Sequence, residues 1–575
     1  MVRQVRPPGR SELATLGVQD MAKQFGRYTS SLTALVAAWV LAACGVVPVN
    51  VYTNDVDPRA ATSVEPPAPA ASAQASFRVR AERRANDCET AGTPLADPKR
   101  QKDTLVLLAL SGGGSRAALF SSQVMLQMQK MTLQINGEPS NLLNEVDAIS
   151  SVSGGSLPAA YYAISHDPGQ DCAAPSHRVW DDETVTGLMK RNYLGRWLGN
   201  LFWPSNIVQF WLTAYDRTDI MAQTLSDNLY DKVPTGMDLS LSQLNPLRPN
   251  LILNATVGSR SDDGRFPFGA IFTFTAEDFG RIASNVDTYS VGRAVMATAT
   301  FPGAFNFMTL CDYGWNKDRY QTRSCHDRDD PRYLHVFDGG NADNLGLTGL
   351  KRVIWSSIVK SERPHIERRK IVVILVDSFI NSRGADPKQA NPRGAFDYLV
   401  DTNFIDATDS LLESNRRELI GDFSSHKLFP FGAEQLENGE TCRRLLAPFG
   451  DEAYCDRPAQ WWKQLNADLD SKLIFRPIDF AAIGEVAPDA PAAPRRDSLF
   501  LRGQLAGIPT NFKLPGRPDA QTGLEDADAI TCATPLVFGQ AVTPSCGALR
   551  PAVPAIAQRW GEVRCALETP AAACR

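Results

Sequence analysis

Apolar residues in this chain fall into short unbroken runs, each closed by a glycine-rich turn. Thr104 opens the first run, Leu105-Val106-Leu107-Leu108-Ala109-Leu110, which ends on Ser111-Gly112-Gly113-Gly114-Ser115-Arg116. A run of this kind predicts a strand covered on both faces, as in a parallel sheet. From Arg116 to Lys130 the period changes, and Phe120, Val124 and Met128 recur every fourth residue on one face of a predicted helix. The same unit follows again. Val146-Asp147-Ala148-Ile149 predicts a strand, Ser151-Val152-Ser153-Gly154-Gly155 a turn, and Leu157 to Ile164 a helix. Further strands are predicted at Leu251–Thr256, Tyr333–Phe337, Ile371–Val376 and Leu473–Phe480. Strands alternating with helices predict the α/β class, a mainly parallel sheet with helices on both faces.

Outside this region the pattern weakens. Lys23 and Arg27 precede an uncharged run, Leu32 to Ala43, that is short for a bilayer span but suits a signal-peptide core. It closes on Leu41-Ala42-Ala43-Cys44-Gly45, which resembles the lipobox of bacterial lipoproteins, where the cysteine is lipidated and becomes the first mature residue. Residues 1–43 are therefore expected to be a signal peptide and Cys44 a lipid anchor. Gly45, rather than an aspartate, points to an outer-membrane lipoprotein of the cell envelope that faces the periplasm. Residues 44–102 are rich in proline and alanine without a period and are expected to be a tether. The catalytic domain is expected over 103–516, with its core at 104–380, and a cysteine-rich tail over 517–575. Tyr193 to Leu212 is unusually aromatic, with Trp197, Phe202, Trp203, Phe210 and Trp211. Buried packing under a loop is preferred for it over a lipid-facing surface.

Composition adds limits. An apolar content of 43% is ordinary for a globular chain, and a net charge of −5 with mixed signs gives no sign of a nucleic-acid partner. Setting aside Cys44, the remaining cysteines are even in number, which in an exported chain favours disulfides. Proximity suggests Cys311 with Cys325, Cys442 with Cys455, Cys532 with Cys546, and Cys565 with Cys574, leaving Cys88 for Cys172. No CxxC or HExxH spacing occurs, and the six histidines are scattered, so no metal is expected.

The turns carry candidate chemistry. An ester hydrolase needs a nucleophile, a base for its proton and donors for the oxyanion. Ser153 stands where a nucleophile elbow has its serine, with Gly154 and Gly155 leaving room for a tight turn. Ser151 departs from the glycine usual two positions before that serine. Gly112, Gly113 and Gly114 open a helix, so their N–H groups are candidate oxyanion donors. Arg116, in the first helical turn, is expected to brace that loop or to add positive charge beside it. Asp338, before Gly339-Gly340, is the candidate base, and partial burial would raise its pKa toward a useful value.

Taken together, a triple-glycine turn, a serine elbow and a distal Asp-Gly-Gly resemble the patatin-like phospholipase family. Ala294 to Gly303, Asp338 to Asn344 and, later, Gly507 to Phe512 extend the likeness. The resemblance implies a three-layer α/β/α fold, a Ser153–Asp338 dyad without histidine, an acyl-enzyme intermediate, a lipid or ester substrate and no cofactor. Two other readings stay open. One is a Ser–His–Asp hydrolase built from Ser153, Asp377 and His426. The other is a lipid-binding envelope lipoprotein without catalysis.

Overall fold

The computed structural model describes residues 53–58, 75–79 and most of 104–378, 403–479 and 530–568. Contacts divide the chain into a large unit, Tyr52–Leu198 with Arg217–Arg575, and a second whose described part is Gly199–Asp216.

The large unit is built on one sheet of eight strands. In chain order these are β1 (Thr104–Leu110), β2 (Ala148–Val152), β3 (Asn250–Val257), β4 (Ile271–Thr273), β5 (Met308–Cys311), β6 (Tyr333–Asp338), β7 (Lys370–Asp377) and β8 (Leu473–Asp479). Their order across the sheet is β5-β6-β3-β2-β1-β7-β8, with β4 also paired to β3. The central run β3-β2-β1-β7-β8 is parallel, whereas β6 joins β3 antiparallel and β5 joins β6 antiparallel.

Period-2 alternation separates the two faces of this sheet. Val106, Leu108 and Leu110 of β1 join Val372, Ile374 and Val376 of β7 in one buried cluster. That cluster also takes Phe120 and Val124 from α1 (Gly114–Lys130), Ala159 and Ala160 from α2 (Ser156–Ile164), and Ala294 and Val295 from α3 (Val291–Thr298). Leu105, Leu107 and Ala109 face the other way with Ile371, Val373 and Leu375. There they meet Leu347, Leu350 and Val353 of α4 (Leu347–Ile354) and Phe423 of α5 (Asn403–Ser424). Both faces are covered, so the architecture is the expected three-layer α/β/α sandwich with a mainly parallel sheet.

Several boundaries differ from expectation. The second strand begins at Ala148, not Val146, and runs through Ser151 and Val152. Asp147, just before the strand, meets both neighbours through its backbone, donating to Val106 O at 2.7 Å and accepting from Asn250 N–H at 3.0 Å, and its carboxylate also accepts the N–H of Val106 at 2.8 Å. Within 44–102, read above as a tether, two described pieces are seated on the domain. Asp55–Val56 pairs antiparallel with Ser284–Asn285, and Asn54 is tied to Ser284 and Cys311. Phe77 is fully buried against Phe449, and the N–H of Phe77 and the hydroxyl of Ser76 satisfy the buried Glu277. These pieces are held by hydrophobic burial and by the needs of a buried carboxylate, so the stretch is not a tether throughout. The tail also contributes to the core. Trp560 and Val563 of the helix Pro554–Glu568 are buried, and Trp560 stacks on Phe538.

Cys442 and Cys455 form a disulfide, and Cys311 and Cys565 are also disulfide-bonded. Their expected partners, Cys325 and Cys574, lie outside the described residues, as do Cys88, Cys172, Cys532 and Cys546. The signal-peptide and Cys44 readings and the Gly507–Phe512 segment lie outside them too.

In the second unit, the helix Pro204–Leu212 has no buried residue. The expectation of buried packing fails for this aromatic segment, whose Phe202, Trp203 and Trp211 are exposed. Among the described residues no helix is long and apolar enough to cross a membrane.

Candidate active site

Register brings the three turns together. Val152 pairs with Asn254, and Asp338 pairs with the next residue, Ala255, so the ends of β2 and β6 are level. Ser153 follows β2 directly in a left-handed conformation, φ 49°, that L-residues seldom adopt. The side chain is held where the strand stops and the helix has not begun, as a nucleophile elbow requires. Its Oγ donates to Asp338 Oδ2 at 2.9 Å. Gly154 is required by close approach, since a Cβ there would lie 2.0 Å from the carbonyl oxygen of Gly114. The elbow and the triple-glycine turn therefore pack backbone to backbone.

Asp338 is buried, and its backbone is fixed as firmly as its carboxylate. Its N–H donates to Thr300 O, its carbonyl accepts from Thr256 Oγ1 at 2.8 Å, and its Oδ1 accepts the N–H of Gly340 at 2.8 Å. Burial raises its pKa to about 6, opposed by the hydrogen bonds from Gly340 and Ser153. The ordinary aspartate value is near 3.8. The shift brings the carboxyl toward neutral pH, where an acceptor for a serine proton is more effective.

The glycine turn divides its labour differently from expectation. Gly112 donates its N–H to Asn344 O at 2.9 Å, so that amide is not open to an oxyanion. Its carbonyl is also occupied, by Ser378 Oγ at 2.6 Å. Gly112 is thus a structural joint between the end of β1, the aspartate loop and the end of β7. A Cβ there would sit 3.3 Å from Ser153 Cβ and 2.2 Å from Asn344 Oδ1, which leaves no space for a side chain. Gly113 has φ 136°, and among the described residues its N–H and that of Gly114 meet no acceptor. Both are partly exposed. They open α1, which has no side-chain cap and no acidic residue in its first turn, so the positive end of the helix is not neutralised from within. Gly113 and Gly114 therefore present the amides of this turn that have no acceptor among the described residues. Arg116 Nε donates to Ser378 O at 3.0 Å, which makes this side chain a brace of the loop.

Ser151 lies in β2, fully buried, and its Oγ has no partner among the described residues. Its carbonyl accepts from Asn254 Nδ2 at 2.9 Å, which also donates to Ser150 Oγ. Gly155 packs against the carbonyls of Ser111 and Leu110. Asn254, Asn344 and Ser378 hold the turns in place, and sequence reading assigned none of them a role. Only their positions at strand ends or in the Asp-Gly-Gly loop hinted at it.

The alternative triad is not assembled. His426 Nδ1 pairs with Asp470 Oδ1 at 2.6 Å, and Asp377 is held by Arg416 at 2.6 Å. Each proposed partner of Ser153 is thus engaged elsewhere. Among the described residues no group of three or more His, Cys, Asp or Glu could hold a metal ion.

Residues 108–351 match the family model described as patatin-like phospholipase, so the chain carries a patatin-like domain. No curated protein matches the chain. Among solved structures, human GIVD cytosolic phospholipase A2 is similar at 12% identity and a TM-score of 0.29, over 50% of this chain and 47% of that one. VipD from Legionella pneumophila is similar at 13% identity and a TM-score of 0.21, over 49% of this chain and 52% of that one. The match spans about half the length of each neighbour.

Proposed function

We propose that the protein is a serine lipid-acyl hydrolase of the phospholipase A or esterase type. The observation that carries this reading is the Ser153 hydroxyl on a left-handed turn, donating at 2.9 Å to the buried Asp338. The family match over 108–351 supports a lipid ester as the substrate class.

In the proposed reaction, Asp338 accepts the Ser153 proton as Oγ attacks the ester carbonyl. The Gly113 and Gly114 amides and the helix end receive the negative charge that forms on the carbonyl oxygen. Collapse of the tetrahedral species leaves Ser153 acylated and releases the alcohol, which takes the proton back from Asp338. A water then gives its proton to Asp338 as it attacks the acyl group, and collapse of the second tetrahedral species releases the fatty acid while Asp338 returns the proton to the departing Ser153 Oγ. We further propose that Cys44 carries a lipid anchor, placing the enzyme in the cell envelope.

The test is hydrolysis of short- and long-chain ester panels by wild type and Ser153→Ala. Loss of roughly a thousandfold or more in kcat/KM across the panel is expected for the variant. Equal turnover by the two proteins would reject Ser153 as nucleophile. A wild-type protein that hydrolyses nothing and resists fluorophosphonate, yet binds lipid, would favour the non-catalytic reading.

A further inference from the structure

The second unit exposes what soluble proteins ordinarily bury. From Trp197 to Tyr215 the chain carries no charged residue. Within it, Trp211 is 77% exposed, Phe202 71% and Trp203 63%, and Ile207, Phe210 and Leu212 are exposed as well. The segment is nonetheless ordered. Trp203 N–H and Asn206 Nδ2 both donate to Asn200 O, Pro204 opens the helix Pro204–Leu212, and Thr213 Oγ1 closes it on Gln209 O at 2.7 Å.

At helical spacing, Ser205, Asn206 and Gln209 share one face, and Trp203, Ile207, Val208, Trp211 and Leu212 occupy the opposite, wider one. So short a helix is marginal alone in water, and its apolar face needs a partner. Exposed apolar surface of this extent marks an interaction site. The chemistry favours one occupant. The polar face is neutral, so nothing on the helix is set to pair with charges on a protein partner. Tryptophan, with a large apolar ring and one N–H donor, suits the boundary between headgroups and acyl chains.

We infer that the helix Pro204–Leu212, with Phe202 and Trp203, docks on a lipid surface, lying in the interface plane with its apolar face among the acyl chains. The role of such docking rests on the reading of the enzyme as a lipid hydrolase. Because the segment is uncharged, it binds zwitterionic bilayers without needing anionic lipid or low salt. The large unit exposes aromatic residues of its own. Phe301 and Phe307 are exposed on the loop that follows Thr300, whose carbonyl holds the N–H of Asp338. Trp197 packs edge-on against Phe305 of the same loop at 5.4 Å.

The test uses full-length Cys44→Ala/Ser153→Ala protein, which cannot carry the proposed anchor and leaves the lipid intact, and phosphatidylcholine vesicles with brominated acyl chains. Bromine quenches only indoles that reach the chains. Quenching is expected at low and high salt alike and should fall sharply in Trp203→Phe/Trp211→Phe, which keeps apolar bulk at both positions. Trp203→Ser/Trp211→Ser should lower vesicle partitioning roughly tenfold or more. In a Ser153-intact chain the same serine pair should leave turnover of a water-soluble short ester unchanged. Equal quenching with and without the two tryptophans overturns the proposal. So does a lipid-free dimer that the serine variants dissociate, since a second copy would then be the occupant. Quenching without any ester hydrolysis would instead sink the proposed activity and leave the docking surface standing.

Discussion

In the proposed reaction Ser153 needs an acceptor for its proton, and Asp338 can serve only if its surroundings oppose its charge. Burial does this, raising the carboxyl from 3.8 to about 6. Two consequences follow. If the ionised form is the base, kcat/KM falls as pH drops through about 6, tending to tenfold per unit below it, in a pH–rate profile on a soluble ester. Stability moves the other way. With a folded pKa above the unfolded one, the contribution to stability is present below about 4 and is lost as pH rises through about 6. Asp338→Asn, which cannot ionise, should therefore gain roughly 1–3 kcal/mol over wild type at pH 8 and little at pH 4, in urea denaturation. At this scale the sequence was readable where a residue's placement follows from its own turn, as with Ser153, Gly154 and Asp338. It was not readable at Gly112, whose N–H is taken by Asn344, a residue distant in the chain and adjacent only after folding. Asn254 and Ser378 escaped notice for the same reason.

Among the elements, the contact between elbow and glycine turn is the most exacting. Gly154 has no space for a Cβ, because backbone rather than a pliable side chain lies against it. Gly154→Ala should destabilise the protein by about 1–3 kcal/mol in denaturant titration and lower kcat/KM by tenfold or more. Gly280→Ala, at a site where a Cβ meets nothing within 4 Å, is the control and should do neither. Strands were legible because two-sided burial writes itself as continuous apolar runs, in β1 and β7 above all. The start of β2 was placed two residues early because Val146 and Asp147 precede the strand yet Asp147 still bonds to both neighbouring strands. The aromatic segment after Trp197 was misjudged because apolarity alone cannot distinguish a core helix from one that lies exposed.

At the scale of the whole molecule, the domain reaches further along the chain than its motifs. Phe77, in a stretch that reads as linker, is buried against Phe449 and beneath the guanidinium of Arg352. Phe77→Ala should cost about 3 kcal/mol in denaturant stability, whereas a free tether would show no change. A proline- and alanine-rich composition concealed this docking, since a single phenylalanine leaves no periodic signal. The sheet, its two faces and the meeting of Ser153 with Asp338 were recoverable because they depend on local runs and turns. The seating of the N-terminal pieces and of the helix at Pro554–Glu568 depends on surfaces that exist only once the sheet has formed. The dyad is tested most directly by the rate of fluorophosphonate labelling, mapped to its residue by peptide mass spectrometry across pH. A single label on Ser153 is expected, formed more slowly as pH falls through about 6 and nearly abolished in Asp338→Asn. A label on a different residue, or one on Ser153 that forms just as fast without the Asp338 carboxylate, would contradict the dyad.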